Sequence, residues 1–264
     1  RNWRALLEAV ALDIDGEGSK IINQVFGGGY DSKHQAVVNC ISFFNRLSEE
    51  CVEPEQALAL LSRGGADVLH YLETQGLTRE GLQLLLRLYS AYRQRLAEGG
   101  SVPSTDFSLV QQEAYSAACS HPEAACAFKH VIIDEYQDTN TIQERLFFRL
   151  AEGHKNICVV GDDDQALYRF RGATVENFVE FPGRCQAYLG LQPKRIPLST
   201  NYRSRQRIVA YYGRFMACCD WQRRDGKGHF RVMDKDITAH SEDEGPAVVK
   251  SCSGKPDECF PQIA

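Results

Sequence analysis

The sequence of 264 residues contains no long hydrophobic run. Its longest apolar stretches, such as Val131 to Ile133 and Ile157 to Val160, are far shorter than the ~20 residues that cross a bilayer, and no charged-then-apolar leader opens the chain. We therefore expect no membrane partner and a cytoplasmic location. With 43% hydrophobic and 25% charged residues, the chain can bury a core and does not have the composition of a disordered segment.

The sequence also lacks an excess of positive charge and lacks zinc-binding motifs. A formal net charge of -5 argues against attraction of nucleic acid to the whole surface, but it allows a single basic groove. The ten cysteines include no C-x-x-C pair, so reduced thiols are favoured over a metal site. The apolar neighbours of Cys126 and Cys158 predict that both side chains are buried.

Apolar residues recur at helical spacing through the first hundred positions, for example over residues 36–44 and 82–96. This pattern predicts a helical half that ends at Glu98-Gly99-Gly100, with residues 101–103 as a junction. A further helix is predicted from Asp106 to about Cys119. The pattern weakens beyond Asp220 and predicts little there.

Two apolar runs of strand length follow, at residues 128–134 and 156–161, and a helix is predicted between them over residues 141–152. Strand, helix and strand in this order predict a β-α-β unit of a parallel sheet. A third strand is predicted at residues 195–199, ahead of a helix through residues 208–215.

Acidic residues stand where the first two predicted strands end. Asp134 and Glu135 follow the first strand, and Gly161-Asp162-Asp163-Asp164 follows the second. Because the carboxyl ends of parallel strands face one ligand crevice, these acids are expected at the same edge. One carboxylate can hold Mg²⁺ while its neighbour deprotonates a water that attacks a phosphoanhydride. Alternatively, Asp134 and Glu135 cap the next helix, which is compatible with catalysis.

Longer strings make the assignment more specific. DEYQDTN stands at residues 134–140, GDDDQALYRFRGA at 161–173 and LSTNYRS at 198–204. In this order they resemble the UvrD/Rep/PcrA family of superfamily 1 helicases, whose motifs read D-E-x-Q-D, G-D-x-D-Q-S-I-Y-x-x-R-G-A and N-Y-R-S. TDFSL at 105–109 resembles the D-F-D-D-L element that precedes the first of these motifs.

The resemblance implies roles for individual residues at a nucleotide site. It makes Asp134 the Mg²⁺ ligand and Glu135, at the same metal site, the residue that activates water. Gln165 would sense the γ-phosphate, Tyr202 would stack on the adenine, and Arg203 would reach the γ-phosphate. An arginine suits this role because its guanidinium is permanently charged.

The resemblance also implies a surface for single-stranded DNA. Tyr168, Phe170 and Arg171 belong to a stretch in which aromatic and basic side chains alternate, a composition suited to stacking on bases and contacting phosphates. Phe170 stands where the family usually has Trp. The alternative is that Tyr168 and Phe170 are ordinary core aromatics, although the arginines beside them fit poorly in a dry core.

Some family features are missing from the chain. Ala166 replaces the family's Ser, and the second Asp of D-F-D-D-L is absent because Ser108 and Leu109 follow Phe107. No G-x-x-x-x-G-K-[ST] phosphate-binding loop is present, and neither are the later family motifs. We therefore expect a fragment cut at both ends.

The family resemblance implies an α/β fold, namely a partial RecA-like (P-loop NTPase) parallel sheet with a large helical insertion on its N-terminal side. The predicted parts are the helical insertion (1–100), a RecA-like core segment (101–200), and the N-Y-R-S motif with the start of a second motor domain or its insertion (201–264).

The implied activity of the complete protein is that of an ATP-dependent 3′-to-5′ DNA helicase in DNA repair or recombination, using ATP and Mg²⁺. Its expected partners are single-stranded DNA and single-strand/double-strand junctions, and the fragment alone is expected to be inactive. Two alternatives stay open: a DNA- or protein-binding module without ATPase activity, and the motor part of a helicase-nuclease subunit.

Overall fold

The computed structural model describes residues 15–27, 32–64, 77–98, 105–169, 172–223, 226, 228–233 and 235–243. The predicted junction at 101–103, Phe170 and Arg171 lie outside these residues. The chain divides into two compact units, residues 1–178 and 179–264, and each is described by itself. The division predicted at residues 100 and 200 stays a prediction.

The described helices are α1 (Gly16–Val25), α2 (Lys33–Glu49), α3 (Pro54–Arg63), α4 (Arg79–Glu98), α5 (Phe107–Ser120), α6 (Thr141–Ala151), α7 (Val175–Val179), α8 (Phe181–Leu189) and α9 (Gln206–Ala217). The described strands are β1 (Val131–Ile133), β2 (Ile157–Val159), β3 (Thr200–Arg205) and β4 (Thr238–Ser241). Short 3-10 turns cover Pro122–Cys126, Tyr136–Asp138 and Asp163–Gln165. None of the described helices is both long and apolar enough to cross a membrane.

Helices α1 to α5 form the core of the first unit. Helix α2 packs against α1, α4 and α5, and α3 packs against α4. The ring of Phe44 on α2 lies 5.3 Å from the rings of Tyr89 and Tyr92 on α4, and all three are buried. Burial of one face of each helix stabilises them together. The predicted helical half is confirmed over its described residues.

Helix α5 begins at Phe107 because Asp106 caps it. Asp106 Oδ1 accepts a hydrogen bond from the Leu109 N–H over 2.7 Å, and its Oδ2 accepts one from the hydroxyl of Tyr92 over 2.7 Å. The helix predicted from Asp106 to Cys119 is therefore confirmed with its ends shifted by one residue. The second contact ties the start of α5 to α4.

Strands β1 and β2 are parallel, with Val131 opposite Ile157 and Ile133 opposite Val159. Helix α6 connects them, and Asn140 and Gln143 form a capping box at its start. The predicted β-α-β unit is confirmed. Within the described residues this sheet has two strands, and the face that contains Ile132, which is 73% exposed, is uncovered.

The expected burial of Cys126 and Cys158 is wrong, since both side chains are exposed. Cys158 is paired with Ile132 in the register of β1 and β2, and both belong to the uncovered face. Neighbours along a strand point to opposite faces, so apolar residues beside a cysteine in sequence do not imply its burial. The eight cysteines within the described residues are free thiols.

In the second unit, β3 and β4 are parallel and α9 packs on both. The strand predicted at residues 195–199 is wrong, because the observed strand starts at Thr200 and contains the N-Y-R-S motif itself. Pro197 has no N–H to donate to a strand partner, which disfavours the predicted position. The helix predicted through residues 208–215 is confirmed by α9.

Candidate functional site

The pair Asp134-Glu135 lies directly after β1, where the chain turns sharply. Glu135 has a left-handed backbone conformation, with φ 50° and ψ 43°, which is uncommon for a residue other than glycine. Its N–H donates to Asp134 Oδ1 over 2.9 Å. Such conformations persist only where the surrounding structure holds them, and they cluster at functional sites.

The carboxylates of this pair are exposed, and Glu135 makes no side-chain capping bond to the 3-10 turn that follows. The alternative role of Glu135 as a helix cap therefore has no support in the geometry. Two adjacent, exposed carboxylates offer the oxygen ligands that Mg²⁺ prefers. The pair thus fits the predicted metal site in its chemistry.

The side chain of Gln137 connects this pair to the segment after β2. Its amide donates to Glu135 Oε2 over 2.8 Å, and its Oε1 accepts from the Asp162 N–H over 3.0 Å. Gln137 is only 1% exposed. A Cβ on Gly161 would overlap Gln137 Oε1, so glycine is required for this close approach. Sequence reasoning gave Gln137 no role, although it stands within the D-E-x-Q-D string.

The connection continues to Gln165. Asp162 Oδ2 accepts a hydrogen bond from Gln165 Nε2 over 2.8 Å, and Asp162 Oδ1 accepts one from the Asp164 N–H over 3.1 Å. A chain of hydrogen bonds thus runs from Glu135 through Gln137 and Asp162 to Gln165. The expectation that acids following two neighbouring strands meet at one edge agrees with this contact.

A second group of acids lies at the same edge. One carboxylate oxygen each of Asp162, Asp163 and Asp164 lies within 4.8 Å of the others. Among the described residues, these three acids form the one cluster of three or more potential metal ligands. Asp134 and Glu135 do not belong to it. The metal roles of Asp134 and Glu135 therefore rest on their pairing and on the family resemblance.

The segments that follow β1 and β2 are also joined further along the chain. The carbonyl of Thr139 accepts from the Thr174 N–H over 3.0 Å and from Asn177 Nδ2 over 3.4 Å. Beside it, the hydroxyl of Tyr136 donates to the buried carboxylate of Glu144 over 2.9 Å. The Thr139 contacts join the D-E-x-Q-D segment to the residues after the G-D-x-D-Q motif, and the Tyr136 contact joins it to α6.

Asp138 is an acid near this edge that has a buried carboxylate oxygen. Its Oδ1 is buried and has no hydrogen-bond partner among the described residues. Burial, and secondarily the negative charge of Glu135, raise the pKa of the Asp138 carboxyl. A buried carboxylate oxygen without a donor makes the charged form of the group costly.

Tyr168 lies on the surface of the same unit. It is 42% exposed, and its carbonyl accepts from the Ala173 N–H over 3.3 Å. The side chain of the neighbouring Arg169 is exposed and lies 3.7 Å from the mostly buried carboxylate of Glu176 in an ion pair. The alternative reading of Tyr168 as a core aromatic is wrong at this exposure. The predicted DNA contacts of Phe170 and Arg171 fall outside the described residues and stay predictions.

Tyr202 and Arg203 lie on β3 of the second unit, and both are exposed. Tyr202 is 76% exposed, and its ring centroid lies 4.8 Å from that of His240 on β4. The Arg203 and Ser204 N–H groups both donate to Asn201 Oδ1, over 3.0 and 2.8 Å. The asparagine of N-Y-R-S thus shapes the backbone that presents the next two residues. His240 carried no signal in the sequence.

Comparisons with known proteins show the family of this chain. The UvrD/REP helicase N-terminal domain matches residues 16–186. ATP-dependent DNA helicase UvrD1 of Mycobacterium tuberculosis (strain ATCC 25618 / H37Rv) is 30% identical over 226 residues, which is 80% of this chain and 27% of that protein. ATP-dependent DNA helicase PcrA of Bacillus subtilis (strain 168) is 34% identical over 131 residues, 48% of this chain and 17% of that protein.

These matches define an N-terminal helicase segment. The chain belongs to the UvrD/REP helicase family, and the resemblance drawn from its motifs is confirmed. It spans about a quarter of the length of its UvrD1 relative. The fold is a mixture of helices and strands with short parallel pairs.

Proposed function

We propose that the full-length protein is an ATP-dependent DNA helicase that moves 3′ to 5′ on single-stranded DNA during DNA repair or recombination. The observation that carries the proposal is the hydrogen-bonded chain Glu135–Gln137–Asp162–Gln165, which links the proposed water-activating acid to the proposed γ-phosphate sensor. The family membership and the names of the relatives support ATP and DNA as ligands. A RecA-like arrangement of the motor belongs to the same proposal.

The metal and water steps of the proposed chemistry use groups that lie at the end of β1. Asp134 and Glu135 would hold Mg²⁺, which would neutralise charge on the phosphates when bound. Glu135 accepts the proton of the attacking water, while its bond from Gln137 holds the carboxylate in place. Arg203 contributes a fixed positive charge to the phosphoryl group, and Tyr202 offers an exposed ring to the adenine.

The proposed track is single-stranded DNA, with single-strand/double-strand junctions as the substrate for unwinding. Tyr168 offers an exposed ring next to the cation of Arg169, a combination suited to stacking on a base near a phosphate. Tyr168 and Gln165 belong to one short segment of chain. Movement of this segment with the state of the nucleotide would couple hydrolysis to stepping.

ATP hydrolysis by the full-length protein, with and without single-stranded DNA, tests the proposal. We expect DNA-stimulated hydrolysis, and we expect Glu135→Gln to lower it by at least about two orders of magnitude while ATP still binds. Glu17→Gln, on an exposed glutamate of α1, serves as the control and should retain activity. Near-normal turnover by Glu135→Gln would refute the assignment.

Strand displacement tests the polarity separately. Duplexes with either a 3′ or a 5′ single-stranded tail are offered to the full-length protein with ATP. Unwinding of the 3′-tailed substrate alone is expected. Binding of DNA without hydrolysis by the wild-type protein would instead favour the binding-module alternative.

A further inference from the structure

Gly172 lies against helix α2 in a way that leaves no room for a side chain. Its φ is +96°, in the left-handed region that favours glycine. A Cβ at this position would overlap Oε2 of Glu49 and would lie 2.7 Å from Nη1 of Arg46. The last turn of α2 thus contacts the backbone that follows the aromatic and basic stretch.

The carboxylate of Glu49 is held in position from two helices. Its Oε1 accepts from the hydroxyl of Ser108 on α5 over 3.2 Å, and its Oε2 lies 3.5 Å from Arg46 Nη1 on α2. The side chain is only 13% exposed, and burial raises its pKa. These contacts hold the carboxylate of Glu49 against Gly172.

The position of Gly172 in turn determines that of Tyr168. The Gly172 N–H donates to the carbonyl of Arg169 over 3.1 Å, and the Ala173 N–H donates to the carbonyl of Tyr168 over 3.3 Å. These bonds join the backbone of Tyr168 and Arg169 to that of Gly172 and Ala173. A shift of Gly172 would therefore be transmitted to Tyr168 and Arg169.

We propose that Glu49 is a positioning residue for single-stranded DNA: packed against Gly172, it fixes the loop that presents Tyr168 and Arg169. The inference rests on the proposed function, because it assumes that this loop contacts DNA. Glu49 lies outside every family motif found in the sequence. It connects the helical part of the first unit with the loop after the G-D-x-D-Q motif.

The test measures how much single-stranded DNA is needed for half-maximal stimulation of ATP hydrolysis by the full-length protein. Glu49→Ala should raise this concentration at least about fivefold. This is the smallest loss of affinity expected when one base no longer stacks on an aromatic ring. Hydrolysis without DNA should stay within about twofold of wild type, since no contact to the nucleotide residues is removed. Glu49→Gln keeps the shape and the acceptor for Ser108, so it should restore most of the DNA response.

Glu53→Ala is the matched control. Glu53 also lies near the end of α2, but its carboxylate accepts from Arg93 Nη1 on α4 and from Gln112 Nε2 on α5, each over 2.6 Å. It should lower the melting temperature as Glu49→Ala does and leave the DNA concentration unchanged. An equal DNA response for both alanine variants would overturn the positioning role.

The outcome for the wild-type protein separates this inference from the proposed function. A wild-type protein whose ATP hydrolysis ignores DNA contradicts the proposed function. A DNA-stimulated wild type with an unchanged Glu49→Ala variant contradicts only the role of Glu49.

Discussion

The buried side-chain amide of Gln137 donates to Glu135 Oε2 over 2.8 Å. Glu135 has a left-handed backbone and an exposed carboxylate, so this bond is the contact that restrains its side chain from within the fold. The other end of Gln137 accepts from the backbone of Asp162. The side chain of Gln137 therefore connects Glu135, after β1, with the segment after β2.

Loss of Gln137 should weaken catalysis more than ATP binding. In the full-length protein, Gln137→Ala is expected to lower the DNA-stimulated kcat by at least about tenfold while the KM for ATP changes less than about threefold, because a displaced Glu135 misplaces the water. Steady-state ATPase kinetics measure both constants. Gln112→Ala, at another buried glutamine, is the control. A kcat equal to that of this control would contradict the positioning of Glu135 by Gln137.

Substitution by alanine should lower the free energy of unfolding at Gly161 and raise it at Gly213. A Cβ on Gly161 would overlap Gln137 Oε1 and lie 2.9 Å from Phe178 Cε2, so Gly161→Ala should cost about 1–3 kcal/mol of the free energy of unfolding. Gly213, inside α9, has no atom within 4 Å of its Cβ position, so Gly213→Ala should gain about 0.5–1 kcal/mol. Urea denaturation measures both. Stabilisation by Gly161→Ala would mean that Gln137 does not occupy this position.

Local patterns in the sequence were sufficient for the parts of the fold that depend on local forces. Apolar runs bounded by acids predicted β1 and β2, and the helix predicted over residues 141–152 is found as α6. The contact of Glu49 with Gly172 depends on tertiary packing of residues far apart in the chain. No periodicity or local signal could have predicted it.

The N-Y-R-S motif shows a different limit of sequence reasoning. An apolar run with Pro197 looked like the strand, but the strand consists of the mostly exposed, polar segment after it. Its partner β4 and the Asn201 side chain, which accepts from two N–H groups, stabilise this backbone. Strand preference depends on pairing context, so a polar strand is missed when its partner is unknown.

Asp138 makes stability depend on pH in a defined direction. Its pKa is raised in the folded state by burial and by Glu135, so the folded protein binds the proton more tightly than the unfolded chain. The charged carboxylate therefore destabilises the fold above the raised pKa, and this cost disappears as the pH falls towards the ordinary range of a carboxyl. Asp138→Asn should raise the melting temperature at neutral pH.

The pH profile checks this assignment. Melting temperatures of wild type and Asp138→Asn are compared across the acidic range, and the gain from the substitution should shrink as the pH falls. Because the two proteins share all other titratable groups, the difference between their melting temperatures removes the contribution of those groups. A gain that stays constant with pH would show that the charge of Asp138 is not its origin.

Cys40 should be inert while other thiols react. Its side chain is fully buried in the core of the helical part, and burial raises its pKa to about 12, so at pH 8 only about one molecule in ten thousand carries the reactive thiolate. Cys119 and Cys158 are exposed and should be labelled by a disulfide reagent in the native protein. Peptide mapping by mass spectrometry after labelling, with and without urea, measures each site. If Cys40 were labelled in the native protein as fast as Cys158, the packing around Phe44 would not be formed. The same packing supports the end of α2, where Glu49 lies.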